Sequence, residues 1–144
     1  MTLRNIFDNL EHSADKWEPY FKVYERHLEK YVGKNINFVE VGVQKGGSLE
    51  MWSKYFGAQA NIIGVDIDIE CSSLRYLQDN IHITIGDQGE PSFWDTFLDH
   101  HEKIDVFLDD GGHYMDQQII TFEKIFPNLS LGGIYICEDC HTSY

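Results

Sequence analysis

Five short apolar runs, alternating with stretches of helical spacing, constrain this chain more than any other feature. They are "INFVEVGV", "NIIGVDID", "IHITIGD", "IDVFLDD" and "GGIYICED". Between them lie "SLEMWSKYF", "SSLRYLQDN", "PSFWDTFLDHH" and "MDQQIITFEKIF", punctuated by Gly57, Pro91 and Pro127. Alternation without a polar face on the strands predicts βα repeats and a parallel sheet covered on both sides. The expected fold is α/β, a Rossmann-like doubly wound sheet of five parallel strands in the order 3-2-1-4-5. At 144 residues the chain has the length of one domain, 1–144.

Ahead of the first strand, Trp17, Tyr20, Phe21, Tyr24, Leu28 and Tyr31 recur at intervals of three and four. This predicts an amphipathic helix that packs its aromatic stripe on the sheet and stops at Gly33. No run approaches the ~20 apolar residues of a membrane span, and the N-terminus lacks a signal peptide's apolar core, so the expected location is the cytoplasm. A formal net charge of −13 without a basic stripe argues against a nucleic-acid partner. Three cysteines suit reduced thiols. The Cys137/Cys140 spacing lacks the second pair that a zinc site wants, and it follows a strand rather than opening a helix, as a redox pair would.

Every strand ends in acid: Glu40, Asp66, Asp87, Asp109 with Asp110, and Glu138 with Asp139. Ligands of such sheets bind beyond the carboxyl ends of the strands, so five acidic ends describe a lined pocket. The first loop, "EVGVQKGGS", departs from the G-x-G-x-x-G of a dinucleotide site, and Glu40 beside it repels a pyrophosphate but suits a cation. Asp66 stands where an acid takes ribose hydroxyls, and Asp87 where one accepts an exocyclic amine. A ribose, an adenine amine and a positive charge without phosphate describe S-adenosylmethionine.

In "DDGGH", two adjacent carboxylates lie next to the acidic pair of the neighbouring strand. Either they share protons or a cation neutralises them. Oxygen-only ligands point to a hard ion, Mg2+ or else Mn2+ or Ca2+. Asp110, Glu138 and Asp139 can meet at one point, leaving positions for a substrate's hydroxyls. A lone histidine at a helix start is usually a cap, but three residues past Asp110, His113 is placed to act as a general base. Asp109 stays open between a fourth ligand, an acid facing the cofactor and a helix cap. His100 and His101 read as surface residues at a helix end.

The stretches "FVEVGVQKGGS", "IIGVDID" and "ITIGDQ" resemble the first three motifs of the class I S-adenosylmethionine-dependent methyltransferases. "DDGGH" and "CED" are similar to those of the metal-dependent macrolide sugar O-methyltransferases of the mycinamicin type. The resemblance runs from about Asp15 to Tyr144. It implies a cofactor site at Glu40, Gly42, Gly46, Ser48, Asp66, Asp87, Gln88 and Asp109. It also implies a metal on Asp110, Glu138 and Asp139, His113 as the base, and a small-molecule acceptor, a sugar or other polyhydroxylated compound.

That class continues past the fifth strand with a helix and an antiparallel pair, whereas this sequence ends at "CEDCHTSY". The expectation is a C-terminally incomplete domain whose fifth strand is an edge that either recruits a second copy near Ile134 to Cys137 or is buried under the chain's own N-terminal helix. Two other readings stand beside the methyltransferase. One is a non-catalytic S-adenosylmethionine- or nucleoside-binding domain, and the other is a dinucleotide oxidoreductase, disfavoured by the glycine spacing.

Overall fold

The computed structural model describes residues 2–16, 18–101, 103–112 and 114–138. Its elements run α1 (Leu3–Phe7), α2 (Glu18–Leu28), β1 (Asn37–Val41), α3 (Gly47–Phe56), β2 (Asn61–Asp66), β3 (Ile81–Ile85), α4 (Pro91–His100), β4 (Ile104–Asp109), α5 (Met115–Ile125) and β5 (Leu129–Cys137). The strands form one sheet in the order β3-β2-β1-β4-β5, and every pairing is parallel. This is the Rossmann-like topology expected from the alternation. No helix of the described residues is long and apolar enough to cross a membrane.

The period of two along each strand sorts side chains between two cores. Phe38, Ile62, Val106 and Leu108 join a cluster with Tyr24, Leu49 and Trp52 from α2 and α3. Val39, Val41, Ile63, Val65 and Phe107 point the other way, against Trp94, Phe97 and Ile125 of α4 and α5. Trp52 is fully buried among Tyr24, Phe38 and Phe56, with ring centroids 5.0, 5.1 and 5.6 Å away. Phe21, Tyr24 and Leu28 form the buried stripe of α2, as the spacing predicted. The helix is shorter than the apolar pattern, because Glu29–Tyr31 tightens into a 3-10 turn.

One expected helix is absent. "SSLRYLQDN" contributes only the end of a 3-10 turn, Ile69–Ser73, and continues without helix to β3. Leu74 and Tyr76 are half-buried while Arg75 and Leu77 are exposed, and this alternation belongs to extended chain. Tyr76 is fixed by donating from its hydroxyl to the Gly46 carbonyl at 2.8 Å. The short α1 had no periodic signal of its own; Leu3 and Ile6 pin it to the core.

At the carboxyl ends the ladder runs on for one more residue. Gly42 donates to the Val65 carbonyl at 2.8 Å, Asp110 to Val41 at 3.0 Å and Glu138 to Asp109 at 2.8 Å. Gly42, Asp110 and Glu138 therefore leave the sheet side by side. Among the described residues β5 pairs only with β4, so it is an edge strand.

Candidate functional site

Beyond the ends of β1, β2 and β4 lies a cleft of about 230 Å3, lined by Gly42, Gln44, Asp66, Asp87, Gln88, Asp110, Gly111 and Gln117 among others. Its walls pack together through glycine. Gly42 has φ +98°, and a Cβ there would stand 2.1 Å from the Asp110 carbonyl oxygen. A Cβ on Gly111 would meet the Gln88 side-chain oxygen at 1.9 Å. A more open depression of about 570 Å3 lies at the opposite end, between Asn37, Asn61, His82 and His100. Strands begin there, away from the end where open α/β sheets place ligands.

Asp66 shapes the rim. Its Oδ2 accepts from the amides of Val43 (2.8 Å) and Gln44 (3.0 Å), and its Oδ1 accepts from the Asp68 amide at 2.9 Å. The turn so held puts Gln44 at φ +51°, the one positive value among the non-glycine residues described. Asp87 caps the next turn by accepting from the Gly89 amide at 2.8 Å.

Asp109 and Asp110, neighbours in sequence, face opposite sides of the sheet. Asp109 is buried on the α5 side, where the Gln88 amide donates to both its oxygens at 3.2 and 3.1 Å. Gln88 also accepts from the Gly112 amide at 2.8 Å, which ties down the turn after β4. Asp110 faces the α3 side, as do Glu40 on β1 and Glu138 after β5. Two-residue periodicity places all three on the face of Phe38, Leu108 and Ile136.

These three acids converge on a residue that no motif singled out. The Lys16 ammonium lies 3.0 Å from Glu40 Oε2, 3.0 Å from Asp110 Oδ2 and 3.2 Å from Glu138 Oε2. It also sits over the Tyr24 ring, 5.9 Å from its centroid. Its side chain is only 2% exposed. Burial alone would lower its pKa, but Glu40, then Glu138 and Asp110, outweigh burial and push it well above a lysine's ordinary value. The signal in the sequence was faint: a cation just ahead of α2, where the helix dipole favours acids.

The segment just ahead of Lys16 is held by a network of its own. The carboxylate of Glu50 on α3, 1% exposed, accepts from the amides of Glu11 (3.0 Å) and His12 (2.9 Å), meets the His12 ring at 2.7 Å and takes Lys54 at 2.8 Å. The Gly47 amide donates to the Ser13 carbonyl at 2.9 Å, and a Cβ on Gly47 would stand 2.3 Å from that oxygen.

Gly42, Asp66, Asp87, Gln88 and Asp110 thus line one cleft. Glu40 and Ser48 lie beneath it, with the Ser48 hydroxyl donating to Glu40 Oε2 at 2.9 Å. Gly46 caps α3 in the left-handed region at φ +91°. His113 and Asp139 lie outside the described residues, as does Cys140 of the cysteine pair. Among the described residues no group of three or more His, Cys, Asp or Glu side chains is arranged to hold a metal ion. Asp110 and Glu138 supply two converging oxygens, with the Lys16 ammonium standing where a cation would.

No family model matches the chain. It is 34% identical, over 94% of its length, to the 8-demethyl-8-alpha-L-rhamnosyl tetracenomycin-C 2'-O-methyltransferase of Streptomyces olivaceus, and covers 37% of that protein. It is 32% identical, over 84% of its length, to the mycinamicin VI 2''-O-methyltransferase of Micromonospora griseorubida, covering 31% of it. The MycE methyltransferase from the mycinamycin biosynthetic pathway, solved with Mg, SAH and mycinamycin VI, superposes with a TM-score of 0.79 at 31% identity. That match takes in 87% of this chain and 35% of the other. Fold and relatives together define the class: this is the Rossmann-like fold of the class I S-adenosylmethionine-dependent methyltransferases. Within the class, its homologues are the sugar O-methyltransferases of the mycinamicin type. The chain spans about a third of the length of the curated relatives it matches.

Proposed function

We propose that this chain carries the cofactor and metal site of an O-methyltransferase that moves a methyl group from S-adenosylmethionine to a hydroxyl of a sugar, with Mg2+ required. The observation that carries the reading is the acid-lined cleft at the ends of β1, β2 and β4, with Asp110 and Glu138 gathered around the Lys16 ammonium beside it.

Asp66 and Asp87 bind the adenosine part, through its ribose hydroxyls and exocyclic amine. The missing Cβ atoms of Gly42 and Gly111 let the Asp110 carbonyl and the Gln88 side chain pack against these turns, which builds the wall the adenosine part lies on. Glu40 lies under the amino-acid end, and its Oε1 has no hydrogen-bond partner among the described residues, which fits a site built for positive charge. Asp110, Glu138 and Asp139 hold the metal. When bound, Mg2+ lowers the pKa of a coordinated hydroxyl and orients it. His113 takes the proton as the acceptor oxygen attacks the methyl carbon. The methyl–sulfur bond breaks, and sulfur keeps the electron pair, leaving S-adenosylhomocysteine.

Calorimetry with S-adenosylhomocysteine and with NAD tests the cofactor: only the former is expected to bind. Methyl transfer to glycosylated acceptors, with and without a chelator, tests the metal. Transfer that survives chelation would falsify the Mg2+ requirement. His113→Ala is expected to cut turnover roughly 10²–10⁴-fold with cofactor affinity nearly intact.

A further inference from the structure

Lys16 takes no part in the reaction just described, yet its ammonium fills the point on which Glu40, Asp110 and Glu138 converge. Magnesium demands oxygens at roughly 2.0–2.1 Å, so an ion on Asp110 Oδ2 and Glu138 Oε2 would lie within about 5 Å of that ammonium. In a cleft shielded from water, like charges at such a distance repel strongly.

We propose that Lys16 is a tethered cation that neutralises the metal-binding acids until a hard divalent ion arrives and displaces it. This rests on the reading of Asp110 and Glu138 as metal ligands. The placement of the residue suits release. Residues 11–13 stay anchored through Glu50 and Gly47, and α2 begins at Glu18, so only a short non-helical stretch has to adjust. An open groove of about 840 Å3 runs beside Ser13, Ala14 and Asp15, and its lining carries the acids Asp68 and Glu70 together with Lys45. A lysine is suited to the task, because its compact charge rides on a flexible four-carbon stem. Lys16 is therefore a positioning residue. It keeps the acids converged without metal, and its charge lowers metal affinity enough to make occupancy depend on supply.

The test is titration calorimetry of the 144-residue chain with Mg2+ alone, without cofactor or acceptor, comparing Lys16→Met and Lys16→Arg with the unsubstituted chain. The Met variant is expected to bind Mg2+ at least tenfold tighter, and the Arg variant, which keeps the charge, is not. Equal or weaker binding by the Met variant overturns the tethered cation while leaving the metal reading intact. Failure of every chain to bind millimolar Mg2+ overturns the metal reading and this inference with it. Should the Met variant not fold without metal, hydrogen exchange on the unsubstituted chain decides. Mg2+ is expected to speed exchange in residues 14–16, and unchanged exchange there rejects displacement.

Discussion

Lys16 and Glu40 stand 24 positions apart in the chain and meet at 3.0 Å, Nζ to Oε2, with both side chains almost wholly out of water. The pair joins the segment ahead of α2 to the central strand. Ser48 and the Trp52 indole, which approach the same oxygen at 2.9 and 3.5 Å, extend the link to α3. Such a contact stabilises little by its mere presence, but it is costly to break.

Lys16→Met, examined without metal, is expected to destabilise the chain by about 3–5 kcal/mol, because it takes the ammonium away from the wholly buried Glu40 carboxylate. Urea denaturation measures the loss. Lys16→Met combined with Glu40→Gln should recover part of it, and a simple sum of the two single losses would argue that the residues are not coupled.

Asp66→Ala should weaken S-adenosylhomocysteine binding by about 1–3 kcal/mol. The structure adds a second effect, since the same carboxylate holds the amides of Val43, Gln44 and Asp68. The variant should therefore also melt earlier with no ligand present. Calorimetry and a thermal melt read the two effects separately, and intact affinity in the variant would remove Asp66 from the cofactor site.

Gly42→Ala combines an unfavourable backbone conformation with a Cβ set against the Asp110 carbonyl. The strain alone is worth roughly 1–3 kcal/mol. A larger drop in cofactor affinity than in stability is expected, because the displaced groups are cleft walls. A variant that binds S-adenosylhomocysteine normally would show that the cleft lies elsewhere.

Glu50 sets an acid limit on stability. Burial would raise its pKa, but donors from Lys54, the Glu11 amide and His12 outweigh burial and hold it at about 2, against an ordinary 4.5. A depressed carboxylate contributes fully above its ordinary value and loses its contribution as pH falls towards the folded value. About 3 kcal/mol should therefore disappear between pH 5 and pH 2. Denaturation midpoints against pH should show a shallower acid slope in Glu50→Gln; an unchanged slope would place the acid sensitivity in other groups.

The edge of β5 leaves backbone donors and acceptors without a strand partner among the described residues. A second copy pairing there would make association rise with concentration, which sedimentation at several loadings detects. A monomer throughout, with fast amide exchange at Ile134 and Ile136, would show that this edge tolerates water.

What the sequence determined by itself was whatever is written in near neighbours. Apolar runs without a polar face specify parallel strands, and their alternation with helical stretches specifies a doubly wound order, since both signals repeat within a few residues. The acids at the strand ends follow, because a strand's end is a local property. Which acids meet was partly legible too: the period of two puts Glu40 with Phe38, Asp110 with Leu108 and Glu138 with Ile136. Tertiary structure alone decided that "SSLRYLQDN" runs without helix, since the half-burial of Leu74 and Tyr76 depends on where His12 and Gly46 lie. It alone turned Asp109 towards Gln88 and brought Lys16 to Asp110, 94 residues away. A lysine before a helix carries no mark of the strand ends it will neutralise, because that pairing exists only once the sheet has brought Glu40, Asp110 and Glu138 side by side and burial has made their charge too costly to leave alone.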